Sequence, residues 1–390
     1  MYPLFVNNLK PGMRIGRPIY DEVGDLLLNQ GMALTDRYIK RLSEKGFTYI
    51  YIEDADTADI DIQETLDERI RNSAIKRLRD SYEITSRLSP DIKGESSAKV
   101  KKTLRDPEFR KNFNAQFPWQ AVMSEVDQIM DNVLNHDVLT GMAFVKSYSD
   151  FVYQHTIDVT VAAVMLGKKV GLDHQKQKDL AVGCMLHDIG YLFIDEELLH
   201  KKDELSESEL ETIYDHAALG YELLRGSPRI GIIPPHLAYQ HHENQDGTGY
   251  PRCLTGTNKV EEHHEQGHII GLAEICAVAD VYDALSSPRP FRPAFPPDKV
   301  VAEMRRMAGT RLNRSLVWLF LEMIPVFPLG SMVRVTKGQY QNHFGIICRI
   351  DREKLDKPVV RILLDRFKKK IKPIELDLKK EPDVTIQSII

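Results

Sequence analysis

The segment AVGCMLHDIG at residues 181–190 places a histidine and an aspartate, His187 and Asp188, at the end of an apolar run. A charged carboxylate in apolar surroundings costs free energy unless another group compensates its charge. A bound cation compensates it directly, and adjacent histidine and aspartate side chains at a helix end can reach one metal ion. The aspartate can also bridge to a second ion, so this segment predicts a metal site on a helical core.

Further histidines and an aspartate occur on both sides of this segment in apolar or glycine-rich surroundings. They are His155, His216 in IYDHAALGYELL, where it is expected at the start of a helix, His241 and His242 in AYQHHENQDGTGYP, and Asp280 in ICAVADVYDAL. Taken singly, each has an ordinary explanation, such as a buried core histidine, a residue at the start of a helix or a hydrogen-bond acceptor. Together with His187 and Asp188 they supply five imidazoles and two carboxylates, which suit two sites for iron, manganese, zinc or a similar ion.

Length and composition limit the classes of protein to consider. A chain of 390 residues is too long for one ordinary core, so two or three domains are expected. The net charge of -5 argues against a broad nucleic-acid surface, which is usually basic. No apolar run approaches the roughly 18 residues that span a bilayer. Because residues 1–10 also lack the features of a signal peptide, we expect a cytoplasmic protein without a membrane segment.

Changes in sequence character predict four segments and a mainly α protein. Residues 1–60 form a small β-rich module with one helix, and residues 61–117 form a charged helical linker region. Residues 118–325 are almost entirely helical, with little strand-type alternation. Residues 326–390 are rich in β-branched residues and are expected to form a small sheet or barrel. The expected fold is therefore an all-helical core between an α+β module and a β module.

Local patterns refine two of these segments. In the first module, strands are expected over Arg14–Tyr20, Leu26–Asn29 and Tyr49–Ile52, with a helix that follows the N-cap residue Thr35. In the helical linker region, the polar stretch SPDIKGESSAKV at residues 89–100 is expected to be a loop or hinge.

The order of the motifs resembles the HD-domain phosphohydrolase superfamily. The additional segments HHENQDGTGYP, at residues 241–251, and ADVYDALSSPRPFR, at residues 279–292, resemble its HD-GYP branch. The resemblance covers about residues 140–310, and the flanking segments are similar to modules that often accompany such domains. It implies an HD-type helical core that hydrolyses cyclic di-GMP to pGpG, and in some members further to GMP.

The resemblance also implies a ligand set for two divalent transition-metal ions, iron or manganese. Carried over position by position, one ion would be held by His155, His187, Asp188 and Asp280. The other would share Asp188 as a bridge and would add His216, His241 and His242.

Substrate contacts follow from the same resemblance. Gly249, Tyr250 and Pro251 would line the substrate pocket, although glycine and proline also favour an ordinary turn. Arg289 and Arg292 are candidates for phosphate or guanine contacts, because guanidinium groups suit both, and they are equally compatible with surface arginines.

Two positions depart from the family pattern. Tyr191 stands where the family usually has a lysine after HDIG, and this lysine is expected near the reacting phosphate. Tyrosine can donate a hydrogen bond there but brings no positive charge. We therefore treat Asp188 and Tyr191 as the candidate catalytic residues. Phe151 stands where members with three metal ions have a carboxylate, so two ions are expected.

The segment TGTNKVEEHHEQGHI at residues 255–269 is longer than the usual link between the GYP and closing motifs. Its additional histidines and glutamates, His263, His264, His268, Glu261, Glu262 and Glu265, are of types that bind metals. Because the segment has few apolar neighbours, a solvated loop is the preferred interpretation.

The mechanistic hypothesis is attack by a metal-bound hydroxide. Two neighbouring metal ions lower the pKa of a bridging water, so that hydroxide forms near neutral pH. The hydroxide would attack phosphorus in line with the leaving 3′ oxygen, and Asp188 would fix the spacing of the ions.

Three other functions remain open. Because Tyr191 replaces the lysine, the domain could instead bind cyclic di-GMP as a weak or inactive receptor or scaffold. It could also hydrolyse another cyclic dinucleotide or a nucleotide monoester, because metals recognise phosphate and not the base. A two-iron site could alternatively support oxygen chemistry. The expected partners are cyclic di-GMP, signalling proteins at the flanking modules, and a second copy of the chain through the long helices of residues 62–140.

Overall fold

The computed structural model describes residues 1–20, 26–47, 49–140, 151–201, 203–260, 267–288 and 294–389. Within these ranges the chain forms thirteen α-helices and three small antiparallel sheets. The helices lie mainly in the middle of the chain and the sheets lie towards its two ends. The predicted mainly α architecture is therefore confirmed.

The first module contains five short strands and one helix: β1 (Tyr2–Phe5), β2 (Arg14–Ile15), β3 (Ile19–Tyr20), β4 (Leu26–Leu28), α1 (Asp36–Glu44) and β5 (Tyr49–Glu53). Strands β1, β5 and β2 form one sheet, and β3 pairs with β4. The predicted N-cap is confirmed, because the side chain of Thr35 accepts a hydrogen bond from the backbone N–H of Tyr38.

One predicted strand of this module is divided. Instead of a continuous Arg14–Tyr20, the chain leaves the first sheet after Ile15 and enters the second at Ile19. Pro18 lies between the two short strands and cannot donate a ladder hydrogen bond. Gly16 lies against the backbone of Tyr51 and Ile52, where a Cβ atom would be tightly packed. Both residues favour a change of direction here.

The helical body comprises twelve further helices. They are α2 (Glu68–Leu88), α3 (Ser97–Arg105), α4 (Pro107–Gln116), α5 (Trp119–Val133), α6 (Phe151–Val170), α7 (His174–Leu186), α8 (Glu196–Leu199), α9 (Glu207–Leu224), α10 (Ile233–Gln240), α11 (Gly271–Ser286), α12 (Pro297–Met307) and α13 (Arg314–Leu321). Helix α6 packs against α7 and α11, and α7 also packs against α10. In the described ranges, none of the helices combines the length and apolarity needed to cross a bilayer.

The helices of residues 61–117 share the hydrophobic core of the helical body. Ala74 and Leu78 of α2, Leu104 of α3 and Phe113 of α4 are buried in the same cluster as the residues of α6 and α7. These helices therefore form a layer of the body, while the four predicted segment boundaries remain a prediction.

The predicted loop at residues 89–100 is too long, because helix α3 already begins at Ser97. Val100 and Leu104 lie one helical turn apart on α3, and both are fully buried. Their burial stabilises a helix in a stretch whose polar residues favour a loop.

The last module is a five-stranded antiparallel sheet. Its strands are β6 (Met332–Lys337), β7 (Phe344–Asp351), β8 (Lys354–Leu364), β9 (Lys370–Asp377) and β10 (Thr385–Ser388), in the order β10-β6-β7-β8-β9. Val333, Ile347 and Val360 are fully buried in its core. The sequence left open whether this module is a sheet or a barrel, and the strand pairing favours a sheet.

The first and last modules contact each other. Tyr51, Ile60 and Ile62 form a small hydrophobic cluster with Ile346 of β7. Beside this cluster, Arg361 of β8 donates hydrogen bonds to both carboxylate oxygens of Asp59, at 2.6 and 2.7 Å. A neutral apolar contact and a bidentate ion pair thus connect residues that are far apart in the sequence.

Candidate metal centre

Helices of the body carry or end next to every predicted metal ligand. His155 lies in α6 and Asp280 in α11, while His187 and His241 are the C-cap residues of α7 and α10. Asp188 and His242 follow these caps directly, so the chain places a ligand pair at the end of each of two helices. The predicted position of the HD pair at a helix end is therefore found in the structure.

The expectation that His216 lies at the start of a helix is wrong. Helix α9 begins at Glu207 with a capping box, in which Ser206 and Glu209 bond each other's backbone N–H groups. His216 consequently lies in the middle of α9 and is fully buried. The Ser-x-x-Glu pattern that precedes the apolar run marks this start in the sequence.

Asp188 directs one carboxylate oxygen to each of two pairs of imidazoles. Its Oδ2 lies 3.3 Å from His187 Nε2 and 3.7 Å from His155 Nε2. Its Oδ1 lies 3.5 Å from His216 Nε2 and 3.6 Å from His241 Nε2. Ligand atoms about 2.1 Å from a shared ion lie roughly 3–3.5 Å apart. Two of these separations lie in that range and two are slightly longer, so the residues on both sides of Asp188 could hold metal ions.

Asp280 and His242 complete the cluster at its other side. Asp280 Oδ1 lies 3.3 Å from His155 Nε2, and Asp280 Oδ2 lies 3.8 Å from His242 Nδ1. A donor atom of His242 also falls within 4.8 Å of donor atoms of Asp188, His216 and His241. The structure therefore brings together all seven residues of the predicted ligand set.

Backbone hydrogen bonds fix the orientation of three of the imidazoles. The Nδ1 atoms of His187, His216 and His241 donate to the carbonyl oxygen three residues earlier, at 2.7, 2.8 and 2.9 Å respectively. A carbonyl oxygen can only accept, so Nδ1 carries a proton and Nε2 is the nitrogen left to bind a metal ion. In each case Nε2 faces Asp188.

The orientation of the His216 and His241 rings indicates whether a metal ion fits between them. His216 Nε2 and His241 Nε2 lie 3.3 Å apart, and each ring already donates through Nδ1. Two lone pairs at this distance repel each other unless a cation or a proton lies between them. The side chain of Asp188 faces the same two atoms, so the donor set suits a divalent transition-metal ion.

Asp283 orients the fourth imidazole and was missed by the sequence reasoning. Its Oδ2 accepts a 2.7 Å hydrogen bond from His155 Nδ1, and its Oδ1 accepts from Ser287 Oγ at 2.8 Å. Asp283 follows Asp280 by three residues on α11, which places both on one face of the helix. This spacing is the pattern from which the contact could have been predicted.

The charges of the centre differ between its two halves. Burial lowers the pKa of His155, but hydrogen bonds with Asp280 and Asp283 outweigh this effect and raise the pKa to about 10. Burial lowers the pKa of His216 to about 4. Burial raises the pKa of Asp188, yet the neighbouring His187 and the other imidazoles hold it well below its usual value. The Asp188 carboxylate is therefore ionised although it is buried.

Tyr191, which replaces the expected lysine, packs on a predicted ligand. Its ring stacks on that of His216, with centroids 4.0 Å apart and planes at 9°. The residue belongs to a short 3-10 helix at Ile189–Phe193, directly after Asp188. An aromatic face thus covers His216 at the position where the family pattern has a cation.

The Gly-Tyr-Pro segment lies against the centre. The backbone N–H of Tyr250 donates to the carbonyl of His242 at 3.2 Å, and a Cβ atom on Gly249 would overlap the backbone of Glu243 and Asn244. The ring of Tyr250 stacks on Tyr214, with centroids 4.0 Å apart. Tyr214, which is 38% exposed, was also missed, because a single tyrosine before His216 carries no distinctive pattern.

Several predicted residues fall outside the part of the chain that the structure describes. Arg289 and Arg292 lie in residues 289–293, and five of the six additional histidines and glutamates lie in residues 261–266. His268 is described and forms a backbone bridge with Thr255. The expectations for these arginines and for the solvated loop therefore remain predictions.

Comparisons with known proteins identify the segment that contains the cluster. The HD domain family matches residues 141–316, which include all seven predicted ligands. The cyclic di-GMP phosphodiesterase PA4108 of Pseudomonas aeruginosa is 26% identical over 238 residues, which cover 61% of this chain and 54% of that protein. The 3'3'-cGAMP-specific phosphodiesterase 1 of Vibrio cholerae is 36% identical over 162 residues, which cover 41% of this chain and 35% of that protein.

A solved structure shows a weaker likeness. Bd1817, an HDG"Y"P protein from Bdellovibrio bacteriovorus, aligns over 82% of this chain and 97% of its own with 17% identity and a TM-score of 0.39. Among the sequence relatives, the chain spans about half the length of the first ones it matches. The family match and the motif order agree on the same segment, residues 141–316, which is similar to the HD domain family.

Proposed function

We propose that this chain is a metal-dependent phosphodiesterase that hydrolyses cyclic di-GMP to pGpG or GMP. The observation that carries the proposal is the position of Asp188, whose two oxygens face separate pairs of imidazoles. Such a bridge suits two ions a few ångströms apart, the arrangement found in many phosphate-ester hydrolases. The names of the relatives, which act on cyclic di-GMP or 3'3'-cGAMP, support the same reaction class.

The residues would divide into two ligand groups around the bridge. His155, His187 and Asp280 would hold one ion with Asp188, and His216, His241 and His242 would hold the other with Asp188. Mixed imidazole and carboxylate ligands suit iron or manganese. When bound, the ions would supply an activated water and an electrostatic partner for the phosphate oxygens.

The protein's own groups would orient the reaction. Hydrogen bonds from Nδ1 to backbone carbonyls hold His187, His216 and His241 in one rotamer each, so little reorganisation is needed when phosphate binds. The hydroxyl of Tyr191 would donate a hydrogen bond to a phosphate oxygen. Fixed hydrogen-bond donors, and not freely moving water, would therefore stabilise the negative charge that develops on the phosphate.

The aromatic residues beside the centre would receive the bases. Tyr250 lies 4.8 Å from the ring of His242 and stacks on Tyr214, which is partly exposed. A base that stacks on an exposed aromatic ring gains roughly 1–3 kcal/mol. Tyr214 and Tyr250 are therefore the proposed contacts for a guanine of the substrate.

The test measures metal content and cyclic di-GMP hydrolysis on one anaerobic preparation loaded with iron or manganese. The unmodified protein should hold about two ions and release pGpG or GMP, because both ligand groups are complete. His241→Gln should lose an ion and at least about 100-fold in kcat. His236→Gln is the matched control, since His236 lies on the same helix α10 but outside the cluster.

The outcomes separate the proposal from its alternatives. Hydrolysis that disappears in His241→Gln and persists in His236→Gln supports the enzyme. Binding of metal and cyclic di-GMP without cleavage would contradict it and favour the receptor. The replacement of lysine by Tyr191 is the observation behind that second candidate.

A related cyclic dinucleotide is the other substrate to compare. The relative from Vibrio cholerae is named for 3'3'-cGAMP, which differs from cyclic di-GMP in one base. Because bound metal ions would contact the phosphate and not the base, they would not discriminate between the two. Competition at equal concentrations gives the ratio of kcat/KM values, and we expect this ratio to favour cyclic di-GMP.

A further inference from the structure

A cavity lies where the two terminal modules meet the helical body. Its volume is about 270 Å³, and its lining residues come from all three parts of the chain. Phe5 and Tyr49 of the first module lie on one side, Tyr282 and Phe295 of the helical body on another, and Met332 of the last sheet on a third. None of the predicted metal ligands is among the described residues that line it.

The described part of the lining is mainly apolar and carries no charged side chain. Among the described residues that form the wall, there is no aspartate, glutamate, lysine, arginine or histidine. The space exceeds that of one water molecule, which occupies about 30 Å³ in the liquid, and a buried water needs two to four polar partners. Apart from the tyrosines, the polar side chains on the described wall are Asn8, Thr140 and three serines, which offer several waters few hydrogen bonds, so an apolar molecule would displace them favourably.

Two serine hydroxyls on the wall lack hydrogen bonds. Ser331, which precedes β6, and Ser388, at the end of β10, both line the cavity, and each is 7% exposed. Within the described part of the chain, neither hydroxyl has a hydrogen-bond partner. A buried unpaired hydroxyl costs about 1–3 kcal/mol, and rotation about χ1 allows it to reach a group that enters the cavity.

From these observations we propose that the cavity binds an uncharged, mainly apolar small molecule with one polar group. The aromatic side chains Phe5, Tyr49 and Phe295 would enclose its apolar part. Ser331 and Ser388 would bond its polar group, which removes the cost of their unpaired hydroxyls. An ionic ligand is disfavoured because no charged side chain on the described wall would compensate its lost hydration.

The position of the cavity connects it to the metal centre through one helix. Tyr282 and Ser286 of α11 line the cavity, and Asp280 and Asp283 of the same helix reach the predicted ligands. A ligand in the cavity would therefore contact the helix that carries part of the centre. The binding site itself does not depend on the proposed phosphodiesterase activity.

The first experiment titrates the full chain with N-phenyl-1-naphthylamine, a neutral aromatic amine whose fluorescence rises in apolar surroundings. We expect saturable binding of one molecule per chain and a higher melting temperature with the probe present. Binding is the readout, so it succeeds or fails independently of hydrolysis. Fluorescence that rises without saturation would overturn the proposal.

Two variants locate the probe. Ala294→Trp places a large side chain on the wall of the cavity and should weaken binding at least tenfold, whereas Ala58→Trp, on an exposed residue away from the wall, should not. The double variant S331A/S388A should weaken binding about two- to tenfold, because it removes the hydroxyls and keeps the shape. Melting curves establish that each variant is folded. Equal affinity of Ala294→Trp and the unmodified protein would place the probe elsewhere and contradict the proposal.

Discussion

At the scale of single residues, the centre depends on how each imidazole is held. Three rings are anchored by backbone carbonyls, and His155 alone is anchored by a carboxylate, that of Asp283. A carboxylate partner makes the opposite nitrogen more basic and therefore a better ligand. The half of the centre that contains His155 should accordingly depend on Asp283.

Asp283→Asn tests this dependence. The amide keeps the size of the side chain but removes its charge, so we expect a 10- to 100-fold loss of affinity for one of the two ions, as is typical for partners of metal ligands. Affinity is measured by metal titration at limiting ion concentration. Asp215→Asn is the control, because Asp215 pairs with Lys101 outside the centre. Equal metal affinities of the two variants would show that Asp283 has no such role.

Tyr191 gives a second prediction at this scale. Tyr191→Lys places a cation where the family pattern has one, and we expect kcat for cyclic di-GMP to rise about tenfold or more through stabilisation of the developing charge. Tyr191→Phe keeps the ring that stacks on His216 and removes only the hydroxyl. It should therefore retain the metal content and lose activity. A lysine variant slower than the tyrosine protein would contradict this role.

The seven candidate ligands could be predicted from the sequence because their combination and order are uncommon, although each residue taken singly has an ordinary explanation. His187 and Asp188 end an apolar run, and the other ligands lie in similar surroundings. Asp283 is marked only by its spacing of three residues from Asp280, and Tyr214 carries no distinctive pattern. Their contacts depend on which face of α9 or α11 turns to the centre, and packing against neighbouring helices decides this orientation.

At the scale of helices, a buried ion pair fastens α2 to the helix that carries His155. Arg71 of α2 forms a salt bridge with Asp158 of α6, and Asp158 is fully buried. Removal of one partner from such a pair leaves a buried charge without compensation. The pair therefore holds α2, a helix of the predicted linker region, against the metal-binding body.

Arg71→Met should lower the free energy of unfolding by about 3–5 kcal/mol, because Asp158 loses its counterion. The double variant R71M/D158N should recover a large part of this loss, since the remaining amide is neutral. Urea denaturation measures both values. If the double variant is as unstable as the single one, the loss comes from packing and not from the unpaired charge.

The helix boundaries show where sequence patterns were sufficient at this scale. The start of α1 was predicted from Thr35, an N-cap residue directly before an apolar stripe. The starts of α3 and α9 were not predicted. The polar residues of α3 favour a loop, and burial of Val100 and Leu104 in the body overrides that preference.

At the scale of the whole molecule, Arg361 links the two ends of the chain. Its hydrogen bonds lower the pKa of Asp59 to about 2 from the ordinary value of 3.8. A lowered carboxyl pKa contributes stability that is complete above the ordinary value and disappears as the pH falls through the lowered value. The link should therefore be intact at neutral pH and weakened near pH 2.

Arg361→Gln tests the link through its pH dependence. At pH 7 the variant should lose about 1 kcal/mol of stability, a modest value because Asp59 is largely exposed and screened by solvent. The difference from the unmodified protein should shrink as the pH falls from about 4 to 2. Denaturation over this pH range measures the difference. A constant difference would show that the ion pair with Asp59 does not contribute.

The arrangement of the modules could not be predicted from the sequence. Asp59 and Arg361 are 302 residues apart, and the cavity draws its wall from three regions of the chain. Local sequence patterns determine strands and helices. The contacts between the modules depend instead on how these strands and helices pack against each other. For this reason neither the interface nor the cavity has a counterpart in the sequence motifs.

Electron paramagnetic resonance of the manganese-loaded protein tests the proposed bridge of two metal ions by Asp188. Two Mn²⁺ ions per chain that share a carboxylate are expected to give an exchange-coupled spectrum. Asp188→Ala should abolish the coupling, while His236→Gln should keep it. A single ion per chain, or two uncoupled ions in the unmodified protein, would contradict a bridge by Asp188.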